Sequence, residues 1–217
     1  MSFYIALLDF EHLDHPVFLK SLAQSLSAHK SRKGIIVHGD SEYTNRLMQT
    51  GMMREDARIR AIMDLNHRLV ALFADHGVST IGLQGYQKEL VSITDNGLSL
   101  NRKVLDTLPE SPMLLISSLV NKNGEKIYIP PVELVLFLEE ELEEHEVVIF
   151  SQDHDSDIFT TNDESEKELN WNKLPEEFKA KHLSEEQISL ASSAILTTGF
   201  SFSEWPNLKN ASKIEKK

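Results

Sequence analysis

Ile35-Ile36-Val37-His38-Gly39-Asp40 is a short apolar run closed by a glycine, and about 40 residues later Val78-Ser79-Thr80-Ile81-Gly82-Leu83 repeats the pattern. Between them, Arg54 to Asp75 carries Ile59, Ile62, Met63, Leu69, Val70 and Phe73 at helical spacing, and His76-Gly77 supplies a stop. Strand, crossover helix and strand make a βαβ unit with parallel strands. Parallel strands are covered on both faces, which accounts for runs that are apolar without alternation. Ligands of such sheets sit beyond the carboxyl ends of the strands, where His38, Gly39 and Asp40 fall.

The same grammar extends outward. Phe3 to Leu8 is a strand, and Asp14-His15-Pro16 opens a helix striped by Phe18, Leu19, Leu22 and Leu26. Ser41 to Met48 is a short helix. Leu90 to Ile93 and Leu98 to Val104 form a hairpin about Asp95-Asn96-Gly97. Met113 to Ser118 is another buried strand, and Lys126 to Ile129 returns after the Asn121 to Gly124 turn. Pro130-Pro131 starts a helix to about Glu144, and Val147 to Phe150 is the last clear strand. Buried strands alternating with helices predict a three-layer α/β/α sandwich on a mainly parallel sheet, in a single domain over 1–217. Toward the end the pattern thins. Residues 151–172 read as a mobile acidic loop. Leu174 to Lys181 reads as a short helix, and Ser184-Glu185-Glu186-Gln187 as a capping box leading a helix from Ile188 to Thr197. Residues 209–217 read as a charged tail.

Charge and composition exclude several functions. The formal net charge of -12 opposes nucleic acid and anionic membrane surfaces, so neither is an expected partner. No apolar run reaches the length of a membrane span, and the start lacks the pattern of a leader. Cysteine is absent, which removes disulfides, thiol nucleophiles and thiolate metal sites. The expected location is cytoplasmic. His12-Leu13-Asp14-His15 matches no zinc spacing, and Asp153-His154-Asp155-Ser156-Asp157 lacks the glycine and terminal glutamate of a calcium loop, so no metal site is expected.

The wording of the strand ends is more specific than their pattern. Val37-His38-Gly39, then a helix, then His76-Gly77-Val78 and Ile81-Gly82-Leu83-Gln84-Gly85, resembles the amino acid kinase family, acetylglutamate kinase in particular. The resemblance covers Phe3 to Phe150 and implies an amino acid kinase-like (carbamate kinase-like) fold. It also implies phosphoryl transfer from Mg-ATP to a carboxylate, and pairing of two copies through the Arg54 to Asp75 helix. The departures lie where the chemistry would be. The family's first-strand lysine aligns with Leu7, and its two glycines with Asp9 and Phe10. A cation there stabilises the transferring phosphoryl group, and glycines let backbone N–H groups approach it. Leucine, a carboxylate and a phenyl ring do neither. Asp40 replaces a further glycine, the family's asparagine-containing segment reads Ile129-Pro130-Pro131-Val132-Glu133, and the late lysine has no counterpart in Glu185 to Ala194.

The candidate ligand residues are therefore Asp9, His38, Gly39, Asp40, Gln84 and Gly85 at the strand ends, with Arg54, or Arg58 in its stead, as the cation for a substrate carboxylate. No catalytic residue is assigned. Three readings fit. One is a degenerate family member that binds a small amino-acid-like ligand or a partner and needs no cofactor. Another is an active kinase that uses Mg-ATP on N-acetylglutamate or a related amino acid. The third is a structural interaction subunit. The long helix adds apolar residues on more than one side, Ile59, Ile62 and Met63 against Ala61, Leu65 and Leu72, which favours a homodimer.

Overall fold

The computed structural model describes residues 3–29, 34–109, 113–142, 145–153, 168–190 and 192–215. Its strands are β1 (Phe3–Leu8), β2 (Gly34–His38), β3 (Thr80–Gln84), β4 (Val91–Thr94), β5 (Gly97–Leu100), β6 (Met113–Ser117), β7 (Leu119–Lys122), β8 (Glu125–Tyr128), β9 (His145–Phe150), β10 (Glu168–Asn170), β11 (Ala194–Thr197) and β12 (Ala211–Glu215). Its α-helices are α1 (Phe10–Leu13), α2 (Pro16–Ser27), α3 (Tyr43–Met48), α4 (Arg54–Asp75), α5 (Arg102–Asp106), α6 (Pro131–Glu141), α7 (Glu176–His182) and α8 (Glu185–Ile188).

Eight strands form one sheet in the order β10-β12-β11-β9-β1-β2-β6-β3, parallel throughout except where β11 meets β12. A second sheet, β5-β4-β7-β8, is built from two hairpins. β2 and β3 are parallel, but β6 lies between them and pairs with both. The crossover through α4 thus skips one strand position, which the five buried residues Met113 to Ser117 fill.

Alternate residues of β1 divide the core, as a strand's two-residue period requires. Tyr4, Ala6 and Leu8 pack with Phe18, Leu22, Leu26, Leu65, Leu69 and Phe73, the inner faces of α2 and α4. Ile5 and Leu7 pack on the other side with Leu134, Val135 and Leu138 of α6 and with Val91 and Val120 of the small sheet. The molecule is therefore an α/β sandwich on a mostly parallel sheet. No helix among the described residues is long and apolar enough to cross a membrane.

The expected hairpin arm Leu98 to Val104 ends at Leu100 as β5, and Arg102–Asp106 forms α5 instead. The C-terminal third departs further from expectation. The capping box is present, with the Ser184 hydroxyl and Gln187 side chain exchanging bonds with each other's backbone, but α8 ends after one turn. The expected continuation to Thr197 is instead β11, because Ile195, Leu196 and Thr197 find the free edge of β9 at Val148, Ile149 and Phe150. Residues 211–215 of the expected charged tail form β12. Ser212 and Ile214 turn inward while Lys213 and Glu215 turn out, so a two-residue period was masked by charge. Of the expected acidic loop, residues 154–167 lie outside the described residues. At its described end, Glu168–Asn170 is β10, and Trp171 is buried with its indole N–H donating to the Ser192 carbonyl (3.1 Å).

Much of the wide apolar arc of α4 is covered by its own chain, while Ile59, Met63 and Leu72 stay half-covered. Ala61, Leu65 and Leu69 are buried, and α3 and α2 pack against the helix beside the sheet. The width of the arc therefore does not itself call for a second copy.

Candidate functional site at the carboxyl edge of the sheet

β1 ends at Leu8, and the next residue caps α1. Asp9 is fully buried, and its Oδ1 accepts the His12 backbone N–H (3.1 Å) and the His12 ring Nδ1. Its Oδ2 accepts the Ser184 hydroxyl (2.7 Å), which ties the first turn to the start of α8. The other His12 nitrogen, Nε2, meets the Ser151 carbonyl at 3.1 Å. Both ring nitrogens therefore face an oxygen acceptor, the Asp9 carboxylate on one side and the Ser151 carbonyl on the other. Burial alone would raise the Asp9 pKa. The His12 ring, the Ser184 hydroxyl and the His12 amide outweigh it and hold the carboxyl below its ordinary range. Asp9 is thus an ionised, fully partnered centre of a closed knot. Gln187 extends it, donating to the Phe150 carbonyl (2.8 Å), and Ser151 Oγ meets His182 Nδ1 at 2.8 Å.

β2 ends in His38, also fully buried. Asn66 of α4 donates to His38 Nε2 (3.0 Å), which leaves Nδ1 to carry the proton toward the Gly39 carbonyl (3.2 Å). Burial, only partly opposed by that last bond, pushes His38 down to about 4, so the ring is neutral and fixed in one tautomer. Gly39 is a packing glycine. A Cβ at this position would lie 2.8 Å from Pro131 Cγ and 3.0 Å from its Cδ, where Pro131 opens α6. Gly85 is similar, since a Cβ would lie 2.6 Å from the Leu119 carbonyl oxygen. Gln84 is buried and accepts the Ser117 hydroxyl (2.5 Å).

The six strand-end candidates therefore share one edge of the sheet, but Asp9, His38, Gly39, Gln84 and Gly85 are sealed into it. Asp40 alone stays half-exposed. Its Oδ1 accepts the Ser41 N–H (2.8 Å) and the Thr44 hydroxyl, and its Oδ2 pairs with Arg58 Nε (3.1 Å). Arg58 also lies over the Tyr128 ring, 4.5 Å from its centroid. Arg54, at the first turn of α4, is exposed and outside this group.

Two further residues of the edge escaped sequence reasoning. Tyr128, at the end of β8, has its hydroxyl pushed up to about 12 by burial and by Glu186 and Asp40, against the pull of Arg58. Glu186 of α8 is pushed up to about 7. Burial is the main cause and Asp9 the next, opposed by the Phe10 amide, with Glu11 and Asp40 adding to the rise. Its Oε2 is shut off from solvent without a hydrogen-bond partner among the described residues. Glu186 was legible only as part of a capping box, since nothing in the local sequence indicates that α8 returns to β1. The edge is thus a field of carboxylates, with Arg58 as its cation and Tyr128 as a neutral phenol. Among the described residues no cluster of three or more histidines and carboxylates is grouped to hold a metal ion.

Comparison with known proteins bears on the fold. No family model matches the sequence, and no curated protein does. Solved structures are similar. N-acetylglutamate synthase from Neisseria gonorrhoeae, complexed with coenzyme A and N-acetyl-glutamate, superposes with a TM-score of 0.63 at 14% identity, covering 100% of this chain and 60% of that one. Aspartate kinase from Synechocystis gives 0.66 at 12%, covering 100% of this chain and 40% of the kinase. Isopentenyl phosphate kinase from T. acidophilum gives 0.61 at 12%, with 99% and 100% of the two chains covered. The chain spans less than two thirds of the first two and the whole of the third. At such identities the likeness is one of architecture, and this chain has the amino acid kinase-like α/β fold.

Proposed function

We propose that this chain is a divergent, acetylglutamate kinase-like member of the amino acid kinase family that binds a small amino-acid-like ligand without transferring phosphate. One observation carries the reading. The turn after β1, where the resemblance expects a lysine and two glycines, holds Leu7 in the core and Asp9 locked to His12 and Ser184. Neither the cation nor the open N–H groups that a phosphoryl transfer site needs are supplied there. A polyphosphate at this edge would face Asp40, Glu11 and Glu186 across a short distance, and like charges in a partly desolvated site repel strongly.

The half-exposed groups suit a zwitterion instead. Arg58 spends its Nε on Asp40, and among the described residues its Nη groups make no hydrogen bond, so they are the carboxylate donors of the edge. Glu186 and Asp40 are the acceptors for an ammonium. Titration calorimetry with glutamate and N-acetylglutamate tests this. The free amine should bind at least about tenfold tighter than the acetylated form, since each charged hydrogen bond contributes about 1.5–3 kcal/mol. Arg58→Ala should abolish binding of both. Tighter binding of the acetylated form, with Mg-ATP as a second ligand, would favour the active kinase.

Pairing through α4 draws its remaining support from Ile59 and Met63, which are half-covered on that helix. Sedimentation at tens of micromolar as a 24.7 kDa monomer would exclude it.

A further inference from the structure

The amino edge of the large sheet, opposite the edge described above, holds a hollow of about 350 Å³. Its floor is the start of β2 and β6. Gly34 belongs there because a Cβ would run into the Tyr4 carbonyl of β1, and the glycine leaves the floor without a side chain to fill the space. Four large apolar side chains, Phe3, Leu105, Leu108 and Leu142, form the walls, and each is half-exposed. The walls are fastened. Arg102 of α5 bonds the Glu141 carbonyl and pairs with its carboxylate (3.3 Å), which joins the helix bearing Leu105 to the end of α6 beside Leu142. At the rim, His145 stacks on Phe3 (centroids 5.2 Å, planes 26° apart) and is steered by Nδ1 meeting the Leu142 carbonyl at 3.1 Å. Asp106 is the exposed charge of the lining.

These features describe a site. The volume lies at the lower end of the range of roughly 300–1,000 Å³ taken by small-molecule pockets, which are mainly apolar with a few placed polar groups. Four half-exposed apolar side chains around one hollow leave water against surface that a hydrocarbon body would cover. The rim carboxylate then selects the head. An ammonium pairs with Asp106, whereas a carboxylate is repelled by it and by a chain of net charge -12.

We propose that this hollow is a second binding site, for a small molecule with a hydrocarbon body and a cationic head held by Asp106. Its ligand differs from the zwitterion of the carboxyl edge, and neither assignment depends on the other.

Matched probes of one chain length test it: n-octylamine, n-octanol and octanoate, each titrated calorimetrically into the full chain. Octylamine should bind saturably at one site and at least tenfold tighter than octanoate. Asp106→Asn should bring octylamine to the affinity of octanol. Leu108→Trp, which fills the hollow, should weaken octylamine at least tenfold. Asp106 is exposed, so its variant keeps the test decisive if Leu108→Trp fails to fold. Arg58→Ala should leave octylamine binding unchanged. The proposal is overturned if octylamine shows no saturable binding, if it binds no tighter than octanoate, if both hollow variants leave its affinity intact, or if Arg58→Ala abolishes it.

Discussion

Gly39→Ala separates two accounts of the strand-end glycine. If the glycine serves a bound anion, a methyl group there costs ligand affinity. If it serves Pro131, the methyl costs stability. The added Cβ would sit 2.8 Å from Pro131 Cγ, against an ordinary contact beginning at 3.4 Å, so one partner must retreat by about 0.6 Å. Neither moves freely. Gly39 follows the last residue of β2, all five of whose residues are buried, and Pro131 is the buried first residue of α6, whose Leu134, Val135 and Leu138 lie in the core. Overpacking of this kind costs about 1–3 kcal/mol. A domain of ordinary stability, about 5–15 kcal/mol, remains folded after such a loss. Urea denaturation followed by the fluorescence of Trp171 and Trp205, both buried, should show a midpoint lowered by about 0.5–1 M with the slope unchanged. Pro131→Ala removes the opposing ring, so the double variant should recover at least about 1 kcal/mol of the sum of the single losses. A Gly39→Ala protein within about 0.5 kcal/mol of the parent, or strictly additive variants, would refute the packing account.

Three further predictions follow from the buried titratable groups. Asp9→Asn leaves the His12 ring and Ser184 without their anion and should cost about 3–5 kcal/mol at pH 7. Because the Asp9 carboxyl is held below its unfolded value near 3.9, its contribution is present above that pH and fades as pH falls through the folded value, so the variant's stability should fall less steeply there, as read by urea melts from pH 5 to 2. His38 titrates near 6.5 unfolded and about 4 folded, so only the unfolded chain takes up its proton between those values. Stability should therefore drop by about 3 kcal/mol from pH 6.5 to 4, and His38→Gln should flatten that limb. Glu186 behaves oppositely: its folded pKa of about 7 lies above the unfolded value, so its contribution is lost as pH rises through 7. Glu186→Gln should accordingly raise the melting temperature at pH 8 and leave it unchanged at pH 5.

Most of the first 150 residues were legible because their signals are local, the exceptions being α5, read as part of a hairpin arm, and β7. A strand buried on both faces is continuous in apolar residues, and α4 carries its stripe and its stop within one window, so Arg54–Asp75 could be read to the residue. Strand neighbours are a different matter. Nothing within Ile35 to Leu83 says that Met113 to Ser117 will insert between the two strands, since order is decided by long-range pairing. The same reason hid β11 and β12. Ala194 to Thr197 follows a genuine capping box and reads as its helix until the free edge of β9 is present to pair with it. The site was legible as a place more than as a set of groups. The strand ends do converge at one edge, but the sequence offered His38, Gln84 and Gly85 as lining, and the fold buries them. Asn66, Ser117 and Leu119 arrive from other elements to bury them. Asp9 was read from the resemblance as a charge opposing phosphate. Its role as the centre of a knot depends on Ser184, 175 residues away.

The central claim is that the carboxyl edge does not hold or transfer a polyphosphate. Incubating the protein with Mg-ATP labelled in the γ-phosphate, together with glutamate or N-acetylglutamate, tests it directly. The account predicts no transfer of label to either carboxylate above the protein-free rate, and no saturable retention of nucleotide in equilibrium dialysis. Label appearing on N-acetylglutamate in proportion to protein, and lost in Arg58→Ala, would contradict it.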